Sequence, residues 1–169
     1  MARLAVSALA LACLGGAAQA QAMASTYTRH AYDTCAKAKP DEDGVSVRHC
    51  AGQGGVAVVW TAGDDSSAVG FGAKPADETV IDASFFEAGT AIEWRGPKGG
   101  KAQAAILRYK TGQRIGKLDG SRLVVYRLGA DSASCIIGSI DGRKPDANAQ
   151  ARKLADETAA GFRCGQDQP

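Results

Sequence analysis

The sequence predicts an α+β domain: an antiparallel β-sheet with one C-terminal helix packed on one face, held by two disulfides. Three observations predict it. Apolar and polar residues alternate through the middle of the chain between glycine-rich turns, the pattern of antiparallel strands. The period lengthens to that of a helix after Pro145. Four cysteines follow an export signal, and an even number in an oxidising compartment reads as a disulfide framework.

The opening MARLAVSALALACLGGAAQAQA has Arg3, an apolar run from Leu4 to Leu14, then small residues ending in Ala18-Gln19-Ala20. That is a secretory signal peptide, expected to be cleaved after Ala20 to leave one exported domain over 21–169. Ala10-Leu11-Ala12-Cys13 loosely resembles a lipobox. The apolar segment before Cys13 is short, so lipoprotein anchoring ranks second to a periplasmic or secreted protein. No later apolar run is long enough to cross a membrane.

Cleavage removes Cys13 and leaves Cys35, Cys50, Cys135 and Cys164. Three pairings are open. Cys35–Cys50 with Cys135–Cys164 is favoured, because each pair brackets one local unit. Bridges closing 15 and 29 residues contribute about 3 kcal/mol each. The contribution matters because Leu, Ile, Val and Phe number only 25 beyond position 20, and alanine buries little area.

Val45, Val47 and His49 share a face in the first predicted strand, Val56, Val58 and Trp60 in the next, Val69 and Phe71 in the third. Gly63-Asp64-Asp65-Ser66-Ser67 turns the chain between the last two. From Ala76 to Gly89 the cluster Val80, Ile81, Phe85 and Phe86 suits a short helix or a packed loop. Alternation resumes over 90–95, with Ile92 and Trp94 inward and Glu93 and Arg95 outward. Pro97-Lys98-Gly99-Gly100 turns into a strand over 102–110; 112–120 is a long hairpin connection; 122–128 and 134–140 are strands. Asp146 then caps a helix whose stripe is Ala147, Ala151, Leu154, Ala155, Thr158 and Phe162. The stripe is small-sided, so the helix should lie close on the sheet.

Several chemistries are present only in fragments. His30, Cys35, His49 and Cys50 are the ligand types of a Cys2His2 zinc site but lack its paired spacing. Gly52-Gln53-Gly54 mimics a dinucleotide fingerprint, yet a strand follows where a helix is required, so a hairpin turn is expected and no cofactor. No serine sits in a G-x-S-x-G elbow. Glu87 and Glu93, both just before Trp94, are the acid pair an envelope-polymer hydrolase would use. For Glu93 a solvated strand edge is the expectation.

Charge segregation is the sharper feature. Arg95, Lys98, Lys101, Arg108, Lys110, Arg114, Lys117, Arg122 and Arg127 are opposed only by Asp119 in that window. Such a block draws anionic partners. In an envelope compartment these are an anionic glycan, a lipid headgroup or an acidic protein; nucleic acid is not expected.

Ile92-Glu93-Trp94-Arg95, Cys135 through Asp141, Asp146-Ala147-Asn148, Ala155-Asp156 and Phe162-x-Cys164 together resemble a group of small exported bacterial proteins of unassigned function. The resemblance covers most of the chain beyond the signal. It implies a sheet ending in a cysteine-tethered helix and carries no catalytic residues. Gly120-Ser121-Arg122 resembles, in altered order, the Ser-Gly loops of periplasmic lysozyme inhibitors. The reading is a non-catalytic exported binding module acting through the basic region 94–127. An inhibitor of a foreign hydrolase, entering its target with 112–120, is the alternative, and the hydrolase comes third.

Overall fold

The computed structural model describes residues 21–39, 44–72, 83–129 and 134–169. The signal segment, with Cys13, and the pair Val80 and Ile81 lie outside the described residues. In chain order the described elements are β1 (Met23–Arg29), β2 (Ala36–Lys37), β3 (Ser46–Ala51), β4 (Ala57–Gly63), β5 (Ser66–Phe71), β6 (Phe85–Pro97), β7 (Ala104–Gly112), β8 (Gly120–Arg127), β9 (Cys135–Asp141) and α1 (Ala147–Thr158). The fold is α+β, with α1 on one face of an antiparallel sheet. That sheet has five strands in the order β1-β6-β7-β8-β9, and a second antiparallel sheet, β2-β3-β4-β5, covers its other face. Period-two patterning identifies strands but not which sheet each joins, so the division into two sheets is set by the tertiary structure.

The five-stranded sheet is buried on both sides. Towards the other sheet point Ile92, Trp94, Leu107, Tyr109, Val124 and Tyr126, packed against Val58, Val69 and Phe71. The Phe71 ring meets Trp94 and Tyr126 edge-on, at centroid distances of 5.4 and 4.9 Å. Towards the helix point Ala104, Ile106, Leu123, Val125 and Ile137, under Ala147, Ala151, Ala155 and Ala159. The small stripe lets α1 approach closely. At Gly138, beside the β8–β9 register shift, a Cβ would stand 2.9 Å from Leu154 Cδ2.

The two sheets are joined by side chains where backbone pairing stops. Beyond the end of β1, the N–H groups of Phe86 and Ala88 donate to the hydroxyls of Ser66 (3.3 Å) and Ser67 (3.0 Å) on β5. The Tyr109 hydroxyl accepts from the Val69 N–H at 3.0 Å and shares a 2.8 Å bond with the Tyr126 hydroxyl. Buried hydroxyls between sheets are thereby satisfied.

Local expectations were met at the turns. Asp64 and Asp65 both have positive φ (47° and 59°), as a two-residue I′ hairpin requires. The glycines after Cys50 bend the backbone: Gly54 and Gly55 take φ of 63° and 83°, and a Cβ at Gly52 would lie 2.7 Å from Trp94 Cη2. Other expectations are corrected. Phe85 and Phe86 begin β6 rather than a helix or loop. In β3 it is Cys50 that faces the core, so Val47 and His49 take the outer face, and His49 is exposed rather than partly buried. Cys50 faces inward because Cys35 lies on that side. Strand β1, which pairs with β6, went unread because Ser25, Thr26 and Thr28 dilute its alternation.

Both disulfides have the favoured pairing, Cys35–Cys50 and Cys135–Cys164, with Cα separations of 5.1 and 5.7 Å. The first ties β3 to the turn after β1; the second ties the segment after α1 to β9. Such bridges fit passage through an oxidising compartment. No helix among the described residues is long and apolar enough to cross a membrane.

Two predictions concern stability. Reduction of both bridges is expected to lower the Tm by more than about 10 °C; calorimetry with and without reductant checks it, and a shift within a few degrees refutes it. His30 is buried beside Thr28, and desolvation holds its imidazole below the ordinary 6.5. The unfolded chain then takes up the proton more readily, so stability is intact above 6.5 and falls as pH drops from there through the folded value. His30→Gln should flatten the urea midpoint between about pH 7 and pH 5; an unchanged slope assigns it elsewhere.

Candidate functional site

The nine cations of the basic region do not form one face. Three are held inside the structure. Arg95 makes a bidentate pair with Asp156 of α1 (2.8 and 2.7 Å) and reaches Ser25 at 3.0 Å. Arg108 donates to Ser121 Oγ at 2.9 Å, to the Gly142 carbonyl at 2.8 Å and to Asn148 Oδ1 at 3.2 Å. Arg127 points at Cys164 Sγ, 3.7 Å away. Lys110 pairs with Glu87 at 3.6 Å on the surface. Lys98 and Lys101 are exposed in the β6–β7 turn. Arg114, Lys117 and Arg122 belong to the opposite end, separated from them by the nine residues of β7, about 30 Å of strand.

At that opposite end lies a shallow polar depression of about 270 Å³. Its charged lining is Arg114, Lys117, Asp119, Arg122, Asp141 and Arg143. Arg143 falls outside the basic window of the sequence and was missed. Antiparallel pairing brings it in: Arg122 on β8 stands opposite Asp141 on β9, and the chain turns just beyond. A register argument from the two strands was the signal that would have found it.

Asp141 is the pivot of the depression. The Arg143 guanidinium bonds both its oxygens at 3.1 Å, and the Arg143 N–H donates to Oδ1 at 3.1 Å. These bonds, with the nearby Arg122 charge, pull its carboxyl down to about 2. Asp141 therefore stays ionised at neutral pH. Lys117 lies 3.7 Å from Asp119, with both side chains exposed. Exposed pairs of this kind contribute about 0–1 kcal/mol, so a ligand anion can replace the carboxylate at little cost. Among the described residues, four cations against two carboxylates leave the depression positive.

Other candidates resolve differently. Cys35 and Cys50 are bonded to each other, so neither offers the thiolate that a Cys2His2 site needs. The His30 Nε2 lies 2.8 Å from Thr28 Oγ1, which accepts a 2.8 Å bond from the Trp94 indole; its ring stacks on Tyr32, which stacks on Trp60. Glu93 is not at a solvated edge. It is 7% exposed beneath α1, where Arg152 bonds its Oε1 at 2.6 Å and its Oε2 at 3.3 Å and Ser25 donates to Oε1. Glu87 and Glu93 thus sit in two separate ion pairs. A larger cavity of about 630 Å³, between the 53–57 turn, Phe71, Ala102 and Leu128, has Lys101 as the one charged residue of its lining among the described residues.

Glu93→Gln leaves Arg152 without its carboxylate and is expected to cost about 2 kcal/mol, less than a fully buried pair because Arg152 is partly exposed. Urea unfolding measures it; a loss under about 0.5 kcal/mol would show that the pair does not hold the helix. Compared with family models, with curated proteins and with solved structures, the chain matches none of them.

Proposed function

We propose that the chain is a periplasmic or secreted, non-catalytic binding module that takes an anionic envelope ligand in the depression at the β7–β8 end of the five-stranded sheet. Arg114, Lys117, Arg122 and Arg143 supply its cations. The observation that carries the reading is their origin. Two come from the β7–β8 connection, one from β8 and one from the turn before α1, yet all line one depression. The net positive charge attracts an anion, and the exposed partners already present are weakly held.

Lys98 and Lys101, at the far end of β7, and the internally bonded Arg95, Arg108 and Arg127 are not part of this site. The narrowing makes the proposal testable within one protein. Wild type should be retained on heparin at low salt and released as salt screens the charges. Replacing Arg114, Lys117 and Arg143 by Gln should weaken retention about tenfold or more, on the order of 0.5 kcal/mol per cation. Lys98→Gln with Lys101→Gln should leave it unchanged. Equal losses in both variants, or no retention of wild type, would reject the site.

A second reading, an inhibitor of a foreign hydrolase, is favoured by one observation. Residues 113–117 are all exposed, and Ile115 at their tip is 65% accessible, a shape suited to entering a cleft.

A further inference from the structure

Ile115 occupies an unusual place. A lone exposed aliphatic is ordinary on a protein surface. This one stands between Arg114 and Lys117, both of which line the cationic depression. The turn is tight: the Lys117 N–H donates to the Arg114 carbonyl at 3.1 Å, and Gly116 takes a φ of 71°. Its base is closed by Gly112, where a Cβ would stand 2.0 Å from the Lys117 carbonyl oxygen. An apolar tip is thus carried between two of the depression's cations on a turn that folds back on its own strand.

Resting on the anion-binding reading above, we infer that the ligand is an anionic lipid, with its phosphate in the depression and Ile115 entering the acyl boundary of the same surface. Three ligand classes compete. A soluble glycan uses the cations but leaves Ile115 in water. An acidic protein would cover about 800 Å² of this surface, well beyond the depression itself. The tip offers a single aliphatic, and Asp119 and Asp141 repel a broad acidic face. A phosphorylated lipid is small at its charged end, so it meets the cations without spreading over those carboxylates. It also presents hydrocarbon a few ångströms away, where Ile115 gains by leaving water. The depression, about 270 Å³, is large enough for one phosphorylated headgroup.

The experiment compares sedimentation with vesicles of phosphatidylcholine alone, vesicles containing phosphatidylglycerol, and retention on heparin, for wild type and Ile115→Ser. Ile115 is exposed, so the substitution leaves the fold intact. The expected result is binding to the phosphatidylglycerol vesicles only, weakened about three- to tenfold by Ile115→Ser, with heparin retention unchanged. Vesicle binding indifferent to Ile115→Ser overturns the lipid inference while leaving the anion site standing. Equal binding to phosphatidylcholine alone overturns the role of the phosphate. Failure on both heparin and anionic vesicles rejects the site itself. Inhibition of lysozyme by wild type, lost in Ile115→Ser and without vesicle binding, replaces the lipid by a hydrolase cleft.

Discussion

Strands β6, β7 and β8 bury both faces, and that demand arranges most of the molecule. A chain with few large aliphatics covers two faces by sending different sizes each way. Aromatic and branched residues (Trp94, Leu107, Tyr109, Tyr126) fill the space between the sheets, while alanines on α1 and β7 bring the helix close on the other side. The helix is shorter than the sheet it covers. Twelve residues span about 18 Å, whereas the nine residues of β7 span about 30 Å. At the helix N-terminus Arg108 and Lys110 replace Ala104 and Ile106 in the alternation, and Arg108 bonds Asn148 of α1 and the Gly142 carbonyl just before it.

An alanine interface has little shape to fix the position of the helix. Two ion pairs do so. Glu93 and Arg95 are two apart on β6, about 7 Å, and their partners Arg152 and Asp156 are four apart on α1, about 6 Å. The near match of these rises holds both pairs in one register, and slipping the helix by a turn would break both. Ion pairs so placed contribute more to specificity than to net stability, because desolvation offsets much of their attraction. The Cys135–Cys164 bridge fixes the other degree of freedom, the distance of the helix end from β9.

The cationic depression forms where the β7–β8 connection meets the end of β9. Antiparallel pairing returns β9 beside β8, so Asp141 and Arg143 arrive next to Arg122 and the β7–β8 connection. Much of this was hidden in the sequence. The basic block from Arg95 to Arg127 is real as composition, yet folding divides it. Alternation turns Arg95 and Arg108 towards the helix side, Arg127 is drawn to Cys164, and β7 carries Lys98 and Lys101 far from Arg114. Linear charge density does not reveal such sorting, because it ignores which face a residue occupies and which partner waits there. Glu93 misled for the same reason: its outward position is covered by a helix that comes nearly sixty residues later.

What the sequence determined by itself was local or covalent. The strand period, the turns at Asp64 and Gly54, the alanine stripe of α1 and the pairing of cysteines each depend on neighbours within about thirty residues, where chain geometry leaves few alternatives. Tertiary structure alone decided the division into two sheets, the inward turn of Cys50, the burial of Glu93 and the meeting of Arg143 with Arg122. Each of these turns on which surface covers a given face, and that is set by contacts between distant segments that no local pattern encodes.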